Sequence, residues 1–106
     1  MLASPASAAR PCRGVPIDKG VKAKVATVRV ECRLGREVAT IYFERVRSGD
    51  DWDGKTGDGS IFYSVKGFRC LTGLAGTQMF CHRQNRRVFA STRPGDDPAS
   101  WRASVG

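Results

Sequence analysis

CRLGREVATIYFERVR, residues 32–47, is the stretch on which the fold of this chain turns. Leu34, Val38, Ile41 and Arg45 fall in one row at helical spacing, and Gly35, Ala39, Tyr42 and Val46 fall in the next. Arg33, Glu37, Thr40, Glu44 and Arg47 share the opposite side. A segment divided in this way buries one stripe and solvates the other, so an amphipathic helix is predicted. Gly35 costs that helix roughly 1 kcal/mol against Ala, and the expected return is close approach to a strand. Gly49 stands two residues past the end, where a helix stop belongs.

Working outward toward the N-terminus, residues 25–30 read VATVRV. The β-branched alternation predicts a strand, with Ala26, Val28 and Val30 as its apolar face. Residues 1–24 show no clear periodicity and contain Pro5, Pro11, Pro16, Gly14 and Gly20, so an extended, irregular arm tied down at Cys12 is expected. Its opening, LASPASAA, resembles the tail of a secretory signal peptide that lacks the charged and long apolar regions. Met1 is then a start placed inside or just after the signal, and the competing reading is a disordered leader of a cytosolic protein.

Downstream of the helix, residues 48–60 (SGDDWDGKTGDGS) form a polar, Gly/Asp-rich loop. Three strand candidates follow, at residues 61–70, 78–83 and 87–91. The connection LTGLAGT joins the first two, and Gln84-Asn85 makes a tight turn with Asn85 at positive φ. Residues 92–106 are expected to be a flexible tail, with Trp101 as the residue that could dock. The order strand, helix, three-strand meander predicts an α+β domain, one amphipathic helix packed on a small antiparallel sheet. At 106 residues there is room for one domain, which buries roughly two-thirds of its unfolded surface. Its division is an arm at 1–24, a core at 25–91 and a tail at 92–106.

Four cysteines, Cys12, Cys32, Cys70 and Cys81, form no CxxC pair and predict two disulfides in an exported, oxidised protein. Three connectivities are open. If the turn between the second and third strands centres on Ala75-Gly76, Cys70 lies directly opposite Cys81, within disulfide reach. That leaves Cys12 with Cys32, stapling the arm to the helix start. The competing scheme joins Cys32 to Cys70 or Cys81 and ties helix to sheet.

The net charge of +8 is carried by 13 Arg and 5 Lys, and Arg is the better bidentate partner for phosphate and carboxylate. A dedicated nucleic-acid role is not expected, because GC-rich coding also yields Arg- and Ala-rich chains. No apolar run approaches the ~18 residues of a membrane span. Residues 49–56, GDDWDGKT, match the P-loop pattern in letters. A true P-loop leaves a strand and opens a helix, whereas this segment does the reverse and sets carboxylates where phosphates would sit. Asp51-x-Asp53-Gly54 resembles the start of a calcium loop, yet Lys55 falls at its fifth position. His82 is the only histidine and CxxC knuckles are absent, so no metal or cofactor is expected.

The candidate binding residues are Arg69, Arg83, Arg86 and Arg87, a basic cluster around the last turn beside Phe62 or Tyr63. Cys32-Arg-Leu-Gly-Arg-Glu-Val, Gly67-Phe68-Arg69-Cys70 and Phe80-Cys81-His82-Arg83 with Arg87-Val88-Phe89 together resemble a group of small exported actinobacterial proteins. In that group a Cys-x-x-Ala-Arg helix start precedes a Gly-aromatic-x-Cys strand and a Cys-x-Arg-Gly hairpin. Gly35 and Gln84 depart from the pattern. The resemblance covers residues 25–91 and implies export and a shared α+β core, with no activity to carry over. The leading expectation is a secreted, non-enzymatic interaction domain at or outside the cell envelope, with a protein or an anionic envelope polymer as partner. The alternatives are a small secreted hydrolase, ribonuclease-like, using His82 with Glu31, Glu37 or Glu44, and an enzyme inhibitor presenting the 49–60 loop. No catalytic residue is assigned.

Overall fold

A computed structural model of the chain describes residues 9–101. The helix, α1, runs Cys32–Ser48, and Gly49 ends it in the left-handed region at φ 77°. It buries Gly35, Val38, Ala39, Tyr42 and Phe43, while Arg33, Glu37, Glu44 and Arg47 are exposed. Phe43, which the helical rows left outside the core, packs edge-on to Tyr42 with ring centroids 4.8 Å apart.

Beneath α1 lies a seven-stranded antiparallel sheet in the spatial order β1-β2-β7-β6-β5-β4-β3. The strands are β1 Arg10–Asp18, β2 Val21–Val28, β3 Gly54–Lys55, β4 Ile61–Val65, β5 Phe68–Gly73, β6 Gln78–Arg83 and β7 Arg86–Ser91. One helix on an antiparallel sheet is the α+β class expected, but the three-strand meander is not what forms. Residues 10–24, expected to be irregular, supply β1 and half of β2. Pro11 and Pro16 fit because β1 is an edge, where a residue without an N–H can face solvent. The β1–β2 register shifts between Cys12 and Val15, and Gly14 sits in that irregularity. A Cβ on Gly14 would come 2.9 Å from the Ala23 carbonyl oxygen.

The expected single strand 61–70 is broken by Lys66 and Gly67, at φ 50° and 84°. They form the two-residue turn of a β4–β5 hairpin, of the kind that needs positive φ at both central positions. At the β6–β7 turn, positive φ falls on Gln84 (57°) and not on Asn85. There the Arg87 guanidinium donates to the carbonyls of Gln84, at 2.6 Å, and Arg86, at 3.0 Å.

Cys12 pairs with Cys32 and Cys70 with Cys81, their Cα atoms 5.5 and 3.9 Å apart. The first bridge ties β1 to the start of α1. The second joins directly opposed residues of β5 and β6, a register held by the turn through Leu74, Ala75 and Gly76, all at positive φ. Gly35 provides the close approach expected of it. A Cβ there would fall 2.4 Å from Cγ2 of Thr27 on β2.

Both faces of the sheet carry buried side chains. Ala23, Val25, Tyr63, Phe68, Met79, Cys81, Val88 and Ala90 pack under α1 in the main core. Ala26, Val28 and Phe89 form a second cluster on the other face, with Phe80, Ala99 and Trp101. The helix-facing side of β2 is therefore Val25 and Thr27, not Ala26 and Val28. Strand alternation cannot distinguish faces when each is covered. Residues 92–101 are not a loose tail over the described part. They fold back through a 3-10 turn, Pro98–Ser100, and seat Trp101 against Phe80 and Phe89. The expected signal remnant, apart from Ala9, and residues 102–106 lie outside the described residues.

Candidate functional site on the outer sheet face

Antiparallel register places two rows of side chains across the face turned away from α1. Gly54, Phe62, Leu71, Phe80, Phe89, Ala26 and Pro11 are successive cross-strand partners and share that face. Two residues along each strand runs a second row: Ser64, Arg69, His82, Arg87 and Val28. With neighbouring strands about 4.8 Å apart, the Arg69 and Arg87 positions stand about 10 Å from each other on either side of His82. An apolar band and a cationic band thus run side by side.

The two bands are fixed from both ends. Phe80 stacks on Trp101 with centroids 4.9 Å apart, and Phe89 meets the same indole edge-on at 5.9 Å. The Arg69 guanidinium lies 4.3 Å over the Phe62 ring, a contact that holds the cation without neutralising it. Burial holds the His82 imidazole below its ordinary pKa, reinforced by Arg87 and then Arg69, so near neutral pH the ring is uncharged between two cations. Between the bands is a cleft of about 410 Å³ lined by Ser60, Leu71, Phe80, His82, Arg87 and Phe89 among others.

The four arginines singled out from the sequence are divided. Arg69 and Arg87 join the outer row, one on each side of His82. Arg83 and Arg86 pair with each other at the exposed end of the β6–β7 hairpin, on the alternate register. The Arg83 guanidinium lies beside Gly67, where a Cβ would come 3.2 Å from it. Leu71, Phe80 and Phe89 are not among the site residues read from the sequence, and Trp101 enters there only as a residue that could dock. The signal for three of them was present, since Leu71 follows Cys70, Phe80 precedes Cys81 and Phe89 follows Val88, each adjacent to a core residue and hence on the other face.

His82 is not brought together with the glutamates proposed for it. Glu31 precedes α1 and Glu37 and Glu44 lie on it, and α1 covers the opposite side of the sheet from His82. The 49–60 segment, expected to be a loop, leaves α1, contains the short strand β3 and leads into β4, so it does not open a helix as a P-loop does. Its Asp53 carboxylate accepts from the Ser64 N–H at 2.6 Å and the Arg45 guanidinium at 3.0 Å, and these contacts lower its pKa in that order. Among the described residues no three His, Cys, Asp or Glu side chains converge to hold a metal. No described helix is long and apolar enough to cross a membrane.

No protein-family model, curated protein or solved structure matches the chain.

Proposed function

We propose that this chain is an exported, disulfide-braced, non-enzymatic binding domain that engages an anionic envelope polymer through the outer face of its sheet. The observation that carries the reading is the row Arg69–His82–Arg87, which spans three adjacent strands and is flanked by an apolar band. Cations two strand spacings apart, about 10 Å, can meet separate anionic groups of an extended chain, and the excess positive charge steers such a polymer toward the face. Two disulfides and no free cysteine support an oxidising compartment outside the cytoplasm.

The test is binding of poly(glycerol phosphate) to the protein at rising salt. Affinity should fall steeply with salt, and Arg69→Gln should weaken it about three- to tenfold, on the order of 1 kcal/mol. Binding that ignores both salt and Arg69→Gln, or retention only by a protein partner, defeats the reading. A second experiment addresses the hydrolase alternative. RNA left intact by the wild-type protein removes it, whereas cleavage that is lost in His82→Ala would replace the binding proposal.

A further inference from the structure

The cleft between the two bands has a chemistry that neither a pure anion nor a pure apolar ligand satisfies. One wall is Leu71, Phe80 and Phe89, on the apolar cross-strand row. The other is His82 and Arg87, on the cationic row. Ser60, just before β4, also lines the cleft. A ligand that carries only charge leaves the apolar wall wetted, and one that carries only apolar surface strips water from Arg87 without replacing it. The volume of about 410 Å³ is at the small end of the ~300–1,000 Å³ typical of ligand sites.

We infer that this cleft is a binding site for a compact amphipathic anion, in which one phosphate or carboxylate lies at His82 and Arg87 and an apolar body lies along Leu71, Phe80 and Phe89. The inference rests on the proposed anion-binding role of the outer face and adds to the polymer a small-molecule class of ligand for the cleft. The anionic group takes the place beside His82 and Arg87 in the cleft, with Arg69 on the other side of His82 in the same row. His82 then acts as a sensor of occupancy. The charges that act on it are Arg87 of β7 and Arg69 of β5, and both disfavour its protonation. A bound anion offsets them, so the imidazole titrates at higher pH in the complex, and the ligand binds more tightly as pH falls through that titration.

The experiment uses the whole oxidised protein, labelled for NMR, with four probes: 1-naphthyl phosphate, octyl phosphate, 1-naphthol and inorganic phosphate. At least one amphipathic phosphate should bind tenfold or more tightly than either inorganic phosphate or 1-naphthol. It should shift the Leu71, Phe80, His82 and Phe89 amides and raise the midpoint of the His82 titration. The naphthyl and octyl arms distinguish an aromatic from an aliphatic body. Arg87→Gln should weaken binding tenfold or more. Because Arg87 also braces the β6–β7 turn, Leu71→Ser and Arg69→Gln provide variants on other strands, each expected to weaken binding about threefold. Inorganic phosphate binding as well as the amphipathic phosphates overturns the inference, as do shifts confined to other residues or a His82 midpoint that does not move. If poly(glycerol phosphate) still binds while every small probe fails, the ligand class alone is wrong. If neither binds, the outer-face reading falls with it.

Discussion

On the helix-covered face, Tyr42, Phe68, Met79 and Val88 are sealed between α1 and the sheet, and a disulfide crosses the middle of the layer at Cys70 and Cys81. On the outer face, Phe80 and Phe89 are covered by one indole at the end of a ten-residue return, 92–101, and the remaining surface is a cleft beside a cationic row. The first face is closed by a regular element whose every turn contributes a contact. The second is closed by a short irregular segment held by few contacts, so its opening costs far less than unfolding of the domain. Buried packing is concentrated on one side of the sheet, and the cationic row with its cleft lies on the other.

The largest expected effect lies on the closed face. Tyr42→Ala removes a buried ring that packs edge-on to Phe43 and Tyr63, with centroids 4.8 and 5.7 Å away. A loss of about 3–5 kcal/mol is expected in urea unfolding. Replacing Cys70 and Cys81 together by Ala should cost about 3 kcal/mol by loop entropy. A loss well under 1 kcal/mol would show that the β5–β6 register is held by the turn alone.

Gly35→Ala tests the closeness of α1 to β2. Added helix propensity is outweighed by the clash with Thr27, giving a net loss of roughly 1–2 kcal/mol. Thr27→Ser, which deletes the clashing methyl, should restore most of that loss in the double variant. On the open face, Trp101→Ala should cost only about 1 kcal/mol while sharply raising hydrogen exchange at Phe80 and Phe89. Equal loss of protection at Val38 and Met79 would mean that the two faces open together.

The smallest effect is a local acid transition. The Asp96 carboxylate accepts from the Ser91 hydroxyl at 2.6 Å and the Gln78 amide at 2.9 Å, and Lys24 donates to its carbonyl oxygen at 2.9 Å. These contacts, Ser91 first and Gln78 second, lower its pKa from 3.8. A depressed carboxylate contributes its full stabilisation above the ordinary value and loses it as pH falls through the folded value. In a Trp52→Phe background, Trp101 emission should therefore shift to the red below about pH 4, ahead of global unfolding. Asp96→Asn should abolish that separate acid step.

Several features of the closed face were legible in the sequence for local reasons. Helical spacing identified α1, Gly49 its end and Gly35 its contact with a strand. The symmetry of Cys70 and Cys81 about Ala75-Gly76 set a strand register. The open face was less legible. Proline and glycine in residues 10–24 read as breakers, because a linear chain does not show which strand will be an edge. Lys66-Gly67 lies inside an apolar run that reads as one strand, and positive φ falls on Gln84 although Asn is the easier occupant.

By itself, then, the sequence determined the class, one helix on an antiparallel sheet, and favoured, among three open connectivities, the two bridges that brace it. Periodicity and spacing are local properties that survive without knowledge of partners. Only the tertiary structure decided that β2 lies beside β7, that Trp101 returns to cover Phe89, and that Arg69, His82 and Arg87 become neighbours while Arg83 and Arg86 fall on the alternate register. Those placements depend on pairings between residues far apart in the chain, and the candidate site exists only where those pairings bring separate strands into one row.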